Sequence, residues 1–215
     1  MNKFIDELIS KSGVAISNGK DQPPLAKLLL EYGYTPERLA TGEGLWSKAS
    51  SLNIAQHKEN GEQLAATKAL NRSIDAAHAV YMPHLKVARV AFRDDVTYWT
   101  QLALKGKRKK SQSGWLGQTK VFYTNLLADE VALEKMAVFG QTREKLEAGH
   151  QLVLVAEENL AIRKKEMGEA QDATKARDKA IDELQDWYSD YIEIARLALA
   201  EQPQYLEMMG IISPS

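Results

Sequence analysis

The chain has no cysteine, which removes disulfides, thiolate metal sites and cysteine nucleophiles and is neutral about compartment. It has almost no net charge: 28 Lys and Arg stand against 29 Asp and Glu, so no global field draws it to nucleic acid or to an anionic membrane. No apolar run approaches the roughly 20 residues of a membrane span. Asp6 and Glu7 interrupt the apolar stretch around Phe4, Ile5, Leu8 and Ile9 too early for a signal peptide, and the expected location is cytoplasmic. A phosphate-cradling glycine loop, a nucleophile elbow and a Ser-His-Asp order are all missing. Strand-like alternation is sustained nowhere, β-branched residues are sparse and alanine is common, which points to an all-α chain. At 215 residues and 44% apolar content, it has enough to bury a core.

What is present is a repeat. Gly33 and Gly140 stand 107 positions apart, and at that offset, without a gap, Thr35 falls on Thr142, Glu37 on Glu144, Leu39 on Leu146, Gly42 on Gly149 and Ala49 on Ala156. Gly61-Glu62 falls on Gly168-Glu169, Ala66-Thr67-Lys68-Ala69 on Ala173-Thr174-Lys175-Ala176, Tyr81 on Tyr188, Ala88-Arg89 on Ala195-Arg196 and Tyr98 on Tyr205. Shared helical composition would match Ala, Lys and Glu, but not glycines at three places. Fixed-period self-similarity of this kind is the signature of a duplicated unit. The expected organisation is one all-helical domain of residues 1–215 containing repeats 25–104 and 132–211. A basic linker, 105–115, and short helical segments join them.

Within each repeat a short apolar helix stops at Gly33 or Gly140, as a left-handed residue past a helix C-terminus requires. Thr35-Pro36-Glu37 and Thr142-Arg143-Glu144 then supply a cap and a first-turn acid. Apolar residues follow at helical spacing. Each middle is polar, Gln56 to Gln63 and Arg163 to Glu169, with cations before a glycine and an acid after it. That pattern predicts a helix end and restart, hence a hairpin with its tip at Gly61 or Gly168. The rival is one continuous helix of nearly sixty residues, about 85 Å long. Pro83 predicts a kink in one repeat only, because Asp190 takes its place in the other. Two striped hairpins bury each other most simply as an antiparallel four-helix bundle, with short helices capping the end opposite the glycine tips.

The run Ala173-Thr174-x-Ala176-Arg177-Asp178-x-Ala180, then Ile194-Ala195-Arg196-x-Ala198-Leu199, then Gln202-Pro203-Gln204-Tyr205-Leu206-Glu207 with Gly210, resembles a family of uncharacterised bacterial proteins built from duplicated helical units. The resemblance covers nearly the whole chain and implies the same all-helical fold. It brings no activity, cofactor or catalytic residue. The first repeat departs from it, with Asn71 where the second has Asp178.

Four-helix bundles hold carboxylate-bridged metals through two Glu-x-x-His motifs and two further carboxylates. Here there is one such motif, Glu147 to His150, and a relative, Asp75 to His78. Glu147 and His150 align with Ala40 and Glu43, and His78 with Gln185, so the duplication does not keep the ligands and they read as surface histidines near acids. Lys105-Gly106-Lys107-Arg108-Lys109-Lys110 is a run of the kind that holds phosphates, but it lies in the linker, where a solvated charge run is expected. The repeated polar residues Thr67, Lys68, Asp75, Tyr81 and Arg89, with Thr174, Lys175, Asp182, Tyr188 and Arg196, read as a structural network rather than a paired site; Asp75 and Arg89 have the reach to pair only across the bundle. Trp115, Phe122, Tyr123, Leu126 and Leu127 form an amphipathic segment that contacts a partner or a membrane or, more simply, covers the open end of the bundle. No catalytic, cofactor-binding or metal residue and no cofactor is assigned.

The function these features imply is a non-enzymatic protein-interaction or scaffold bundle, engaging another protein or itself. The alternative is a bundle binding a metal or a small ligand. No small-molecule substrate is identifiable, and neither nucleic acid nor a membrane is expected.

Overall fold

The computed structural model describes residues 3–211. The last four residues, which hold no counterpart of the basic run, lie outside them, as do the first two. The described chain is all-helical, without a strand. Its helices are α1 (Lys3–Asp21), α2 (Pro23–Glu31), α3 (Pro36–Ala91), α4 (Val96–Gln101), α5 (Gln112–Leu127), α6 (Glu130–Ala137), α7 (Arg143–Ala198) and α8 (Pro203–Met208).

The same local geometry recurs at the offset read from the sequence. Helices α3 and α7 are each 56 residues long and begin 107 positions apart. Before each stands a left-handed glycine, Gly33 at φ 83° and Gly140 at φ 71°, a conformation that a Cβ would oppose. The same backbone hydrogen bonds close the turn in both places, among them that from Tyr34 N–H to the Leu29 carbonyl at 3.1 Å and that from Gln141 N–H to the Met136 carbonyl at 3.2 Å. After α4 and α8 a second left-handed residue recurs, Ala103 at φ 49° and Gly210 at φ 73°. Ser12 in α1 and Thr119 in α5 are likewise 107 apart. Both are fully buried, and both hydroxyls donate to a carbonyl one turn back, Leu8 at 2.7 Å and Leu116 at 2.9 Å. The correspondence therefore reaches α1 and α5, upstream of the boundaries at 25 and 132 that side-chain matching predicts.

The hairpins are a correction. Neither long helix turns at its middle glycine: α3 runs unbroken through Gly61 and Pro83, and α7 through Gly168. A helical glycine costs only about 1 kcal/mol against alanine, too little to end a helix whose flanks are packed. The polar middle is largely solvated, with His57, Lys58, Asn60, Gly61 and Glu62 exposed and Gln56 alone at 5%, and it is a stretch of continuous helix rather than a tip. The four-helix bundle of two hairpins is not formed. The continuous helix, the rival reading, is what the chain adopts.

The chain instead divides into two compact units. The first combines residues 1–60 with 169–215, and the second is residues 61–168. Each unit thus takes the first half of one long helix and the second half of the other. In the first unit α3 and α7 are antiparallel, since Gly42 faces Trp187 while Lys48, further along α3, pairs with Glu183 at 2.7 Å. Its core joins Ala15 and Ile16 of α1, Leu25 and Leu29 of α2, Leu39 of α3, Tyr191, Ala195 and Leu199 of α7 and its C-terminus, and Leu206 of α8. Ile5 and Leu8 pack with Ala49, Ala180 and Leu184. The second unit builds the equivalent core from Tyr81, Leu85, Ala88 and Phe92 around α3 and its C-terminus, Trp115, Phe122, Tyr123 and Leu126 of α5, Leu133 and Met136 of α6, and Leu146, Val153 and Ala156 of α7.

The matched glycines therefore serve different ends. Gly42 and Gly149 are where an aromatic side chain sits against bare backbone, Trp187 in the first unit and Tyr123 in the second, and nothing lies within 4 Å of a methyl placed at Gly61 or Gly168. Gly61→Ala and Gly168→Ala are each expected to raise stability by about 0.5–1 kcal/mol, whereas Gly149→Ala, which drives a methyl into the Tyr123 ring, is expected to lower it by about 1–3 kcal/mol. Denaturant midpoints of the three variants check this; destabilisation by Gly61→Ala would argue against an unbroken α3.

Candidate functional site

The residues that carry chemistry in the second unit converge on α5. Tyr123 is fully buried at the centre. Its hydroxyl shares a 2.9 Å hydrogen bond with Nδ1 of His84, and its ring stacks on His150 at 5.9 Å. Tyr81, also buried, meets Trp115, Phe122 and Tyr123 edge-on. Helix α3 brings Tyr81 and His84 to one face because three residues make almost one turn. The bare backbone at Gly149 lets α7 approach the Tyr123 ring.

Burial pushes the Tyr123 hydroxyl well above the ordinary tyrosine range, so it stays protonated. Burial lowers the pKa of His84, helped by the Lys145 charge. Burial also lowers that of His150; Lys120 adds to this and Glu157 opposes it. His150 Nε2, Trp115 Nε1 and Arg108 Nε are buried without a hydrogen-bond partner. A protonated phenol thus stands between the buried His84 and the half-buried His150. It presents no nucleophile to a substrate.

The Glu147–His150 motif is split by this arrangement. Glu147 is exposed and lies 4.0 Å from Arg143, while His150 turns inward to Tyr123. His78 sets its ring 5.8 Å from Trp115, and Asp75 is exposed. No group of three metal-type ligands includes any of these four among the described residues.

The basic run is not uniformly solvated, as the linker reading had it. Lys105, Lys107, Lys109 and Lys110 are exposed, but Arg108 turns in and donates to the Tyr81 hydroxyl at 2.8 Å and to the Lys105 carbonyl at 3.1 Å. Arg89 fixes the same loop by donating to the carbonyls of Leu104 at 2.9 Å and Gly106 at 2.8 Å. Arg89 is thereby used on the backbone of its own unit, not on Asp75. Thr67 and Thr174 play one role twice, each hydroxyl donating to the carbonyl four residues back, Gln63 at 2.9 Å and Ala170 at 2.8 Å. The Trp115–Leu126 segment is not a free surface: its apolar face is the core of the second unit.

Sequence reasoning passed over two further matched pairs. Tyr32 and Phe139 each stand one residue before the left-handed glycine, 49% and 47% exposed, and Val90 and Leu197, in the last turns of α3 and α7, are 47% and 61% exposed. Val138 adds an 81% exposed side chain beside Phe139. The signal was in the alignment at the same offset, but aromatic-for-aromatic and aliphatic-for-aliphatic replacements are not identities. No protein-family model, no curated protein and no solved structure matches the chain.

Because His84 is buried and His150 half-buried, both with their pKa lowered, the unfolded chain binds more protons than the folded one once pH falls below about 6.5. Stability is therefore expected to be full above that pH and to decline as pH drops from about 7 to 5. Thermal melts across that range should show the decline, and the double variant His84→Gln/His150→Gln should flatten it. Arg108→Ala is expected to cost about 1–3 kcal/mol by leaving the Tyr81 hydroxyl buried and unpaired, and Lys107→Ala and Lys109→Ala less than about 0.5 kcal/mol; urea titrations of the three discriminate a structural arginine from a solvated run.

Proposed function

We propose that the chain is a non-enzymatic interaction protein that binds another protein through apolar side chains at the turn before each long helix. We take the two halves to be copies of one unit, akin to the duplicated bacterial family that the sequence resembles. The observation that carries the reading is the pairing of Tyr32 with Phe139 and of Leu197 with Val90, exposed in both units at equivalent positions. Scattered surface apolars need no explanation. The same residue class left in water at the same place twice is not scatter, and aromatic side chains are the ones that anchor protein interfaces. The chemistry-bearing side chains around Tyr123 are committed to packing, which favours a binding role over a catalytic one. No described helix is long and apolar enough to cross a membrane, so the exposed apolar residues are read as contacts for protein rather than as parts of a span.

The test is affinity capture from a lysate of the source organism with the full chain, against Tyr32→Ser, Phe139→Ser and their double variant. A partner retained at high salt by the parent chain and lost with the double variant is the expected result, because apolar contact is not screened by salt. A partner that leaves with salt and ignores both substitutions would move the binding surface to Lys105, Lys107, Lys109 and Lys110. A Phe139→Ser chain that captures as well as the parent, with Tyr32→Ser doing the same, would sink the proposal.

A further inference from the structure

The near-zero charge of the chain hides two units of opposite sign. Residues 61–168, the second unit, hold 17 Lys and Arg against 12 Asp and Glu, while residues 1–60 with 169–215, the first, hold 11 against 17. Part of each excess is gathered on one exposed surface.

In the second unit the loop after α4 is laid along α3. Arg89 donates to the Leu104 and Gly106 carbonyls, Arg108 to the Tyr81 hydroxyl, and the Gln112 amide to the Asn71 side chain at 3.2 Å. The contacts from Asn71 to Arg89 span about 27 Å of helix. Four exposed lysines of the loop, Lys105, Lys107, Lys109 and Lys110, are thereby fixed beside α3. On α3 itself Lys68, Arg72 and Lys86 are exposed along one stripe, since steps of 4 and 14 residues return to nearly the same side of a helix. Asp75 is the acid on that stripe. None of these seven cations has an ion-pair partner among the described residues.

Helix α7 carries the counterpart in the first unit. Asp182, Asp186, Asp190 and Glu193 are exposed, and their spacing of 4, 4 and 3 residues puts them on one face. No cation occurs from Ala180 to Ala195. Within that stretch Glu183 is answered by Lys48, and the four other acids have no ion-pair partner among the described residues. Like charges at this spacing repel along a helix, and opposing cations would relieve them. At the offset of 107, Ala79, Pro83 and Lys86 stand where α7 has Asp186, Asp190 and Glu193, so the equivalent faces differ in sign.

We propose that the chain associates with a second copy of itself, the acidic face of α7 in the first unit of one copy docking on the lysine-rich surface of α3 and its loop in the second unit of the other. A second copy is the occupant because every copy carries both surfaces, opposite in sign and unpartnered. A single-stranded nucleic acid fits the lysines less well, since Tyr81 and Trp115 are buried and offer no ring on which a base could stack. The contact is separate from the apolar one at Tyr32 and Phe139 and does not rest on it.

The test follows the purified full chain by sedimentation at about 20 mM and about 500 mM salt, between which the screening length falls from about 20 Å to about 4 Å. Self-association in low salt, weakened about tenfold or more in high salt, is the expected result. Asp186→Lys/Asp190→Lys/Glu193→Lys makes the first unit's face basic, and Lys86→Glu/Lys105→Glu/Lys107→Glu/Lys110→Glu makes the second unit's surface acidic. Each variant alone should lose self-association by about tenfold or more, because its two surfaces then share a sign. Mixed in equal amounts, the two variants should associate, because each meets an opposite surface on the other. The substituted positions are all exposed, so both variants should keep the parent's helical content, which circular dichroism checks. Tyr32→Ser/Phe139→Ser should self-associate like the parent, which keeps this result apart from that of the capture experiment. A parent chain that stays monomeric in low salt at up to about 1 mM protein, association that high salt leaves unchanged, or a mixture that stays monomeric would each overturn the proposal. Loss of self-association in Tyr32→Ser/Phe139→Ser would move the contact to the apolar turns and overturn it as well.

Discussion

The apolar stripe of a 56-residue helix cannot be buried by its own neighbours in sequence, and the rest of the structure depends on how that burial is met. Leu39 and Ala49 near the start of α3 are covered by helices α1 and α2 and by Ala180, Leu184 and Tyr191, more than a hundred positions away. Tyr81, Leu85 and Ala88 towards its other end are covered by α5, α6 and the first half of α7. Isolated helices draw little stability from propensity alone, so α3 and α7 persist because both ends of each are packed into a core. The same requirement explains why the middle glycines are harmless. A residue that weakens a helix by about 1 kcal/mol does not break one whose flanks are held on both sides.

Close approach is the second constraint. Two large rings, Trp187 and Tyr123, lie against the bare backbone of Gly42 and Gly149, and a third, Tyr191, fills the place of a side chain at Gly19 and donates its hydroxyl to the Ala15 carbonyl at 3.1 Å. Aromatic rings bring large buried area; Trp187 fills the space between the two long helices, and Tyr191 and Tyr123 that between a long helix and a short one. In the second unit two tyrosines, Tyr81 and Tyr123, draw two histidines and an arginine against one interior. Those residues look like chemistry in a list of side chains, yet their partners are one another and the backbone.

The sequence carried the helical class, the offset of 107 and the turns at Gly33 and Gly140, because these depend on local rules: periodicity, caps and the absence of a Cβ. The long helices' ends were legible for the same reason, with Thr35 and Thr142 before the starts. Their continuity was misread. The cation-glycine-acid pattern at Gly61 and Gly168 is the local signature of a helix end, and locally it is a fair one; packing overrode it. The candidate sites fared likewise. Glu147 and His150 have a spacing that metal ligands use, but spacing places both near one helical face without saying that His150 stacks on Tyr123 while Glu147 faces water. Arg108 looked like one member of a solvated run, and only its approach to Tyr81 sets it apart.

Sequence alone thus determined that the chain is helical, that the local geometry at one turn is written again 107 residues later, and where each long helix begins. Those properties are set by interactions spanning a turn or two, which the order of residues encodes directly. Tertiary structure decided that the long helices do not fold back, that each compact unit draws on both of them, and which aromatic side chains are buried and which stay in water. Each of those outcomes turns on which surfaces a hundred residues apart come together to exclude water, and a one-dimensional pattern offers several pairings that satisfy it equally.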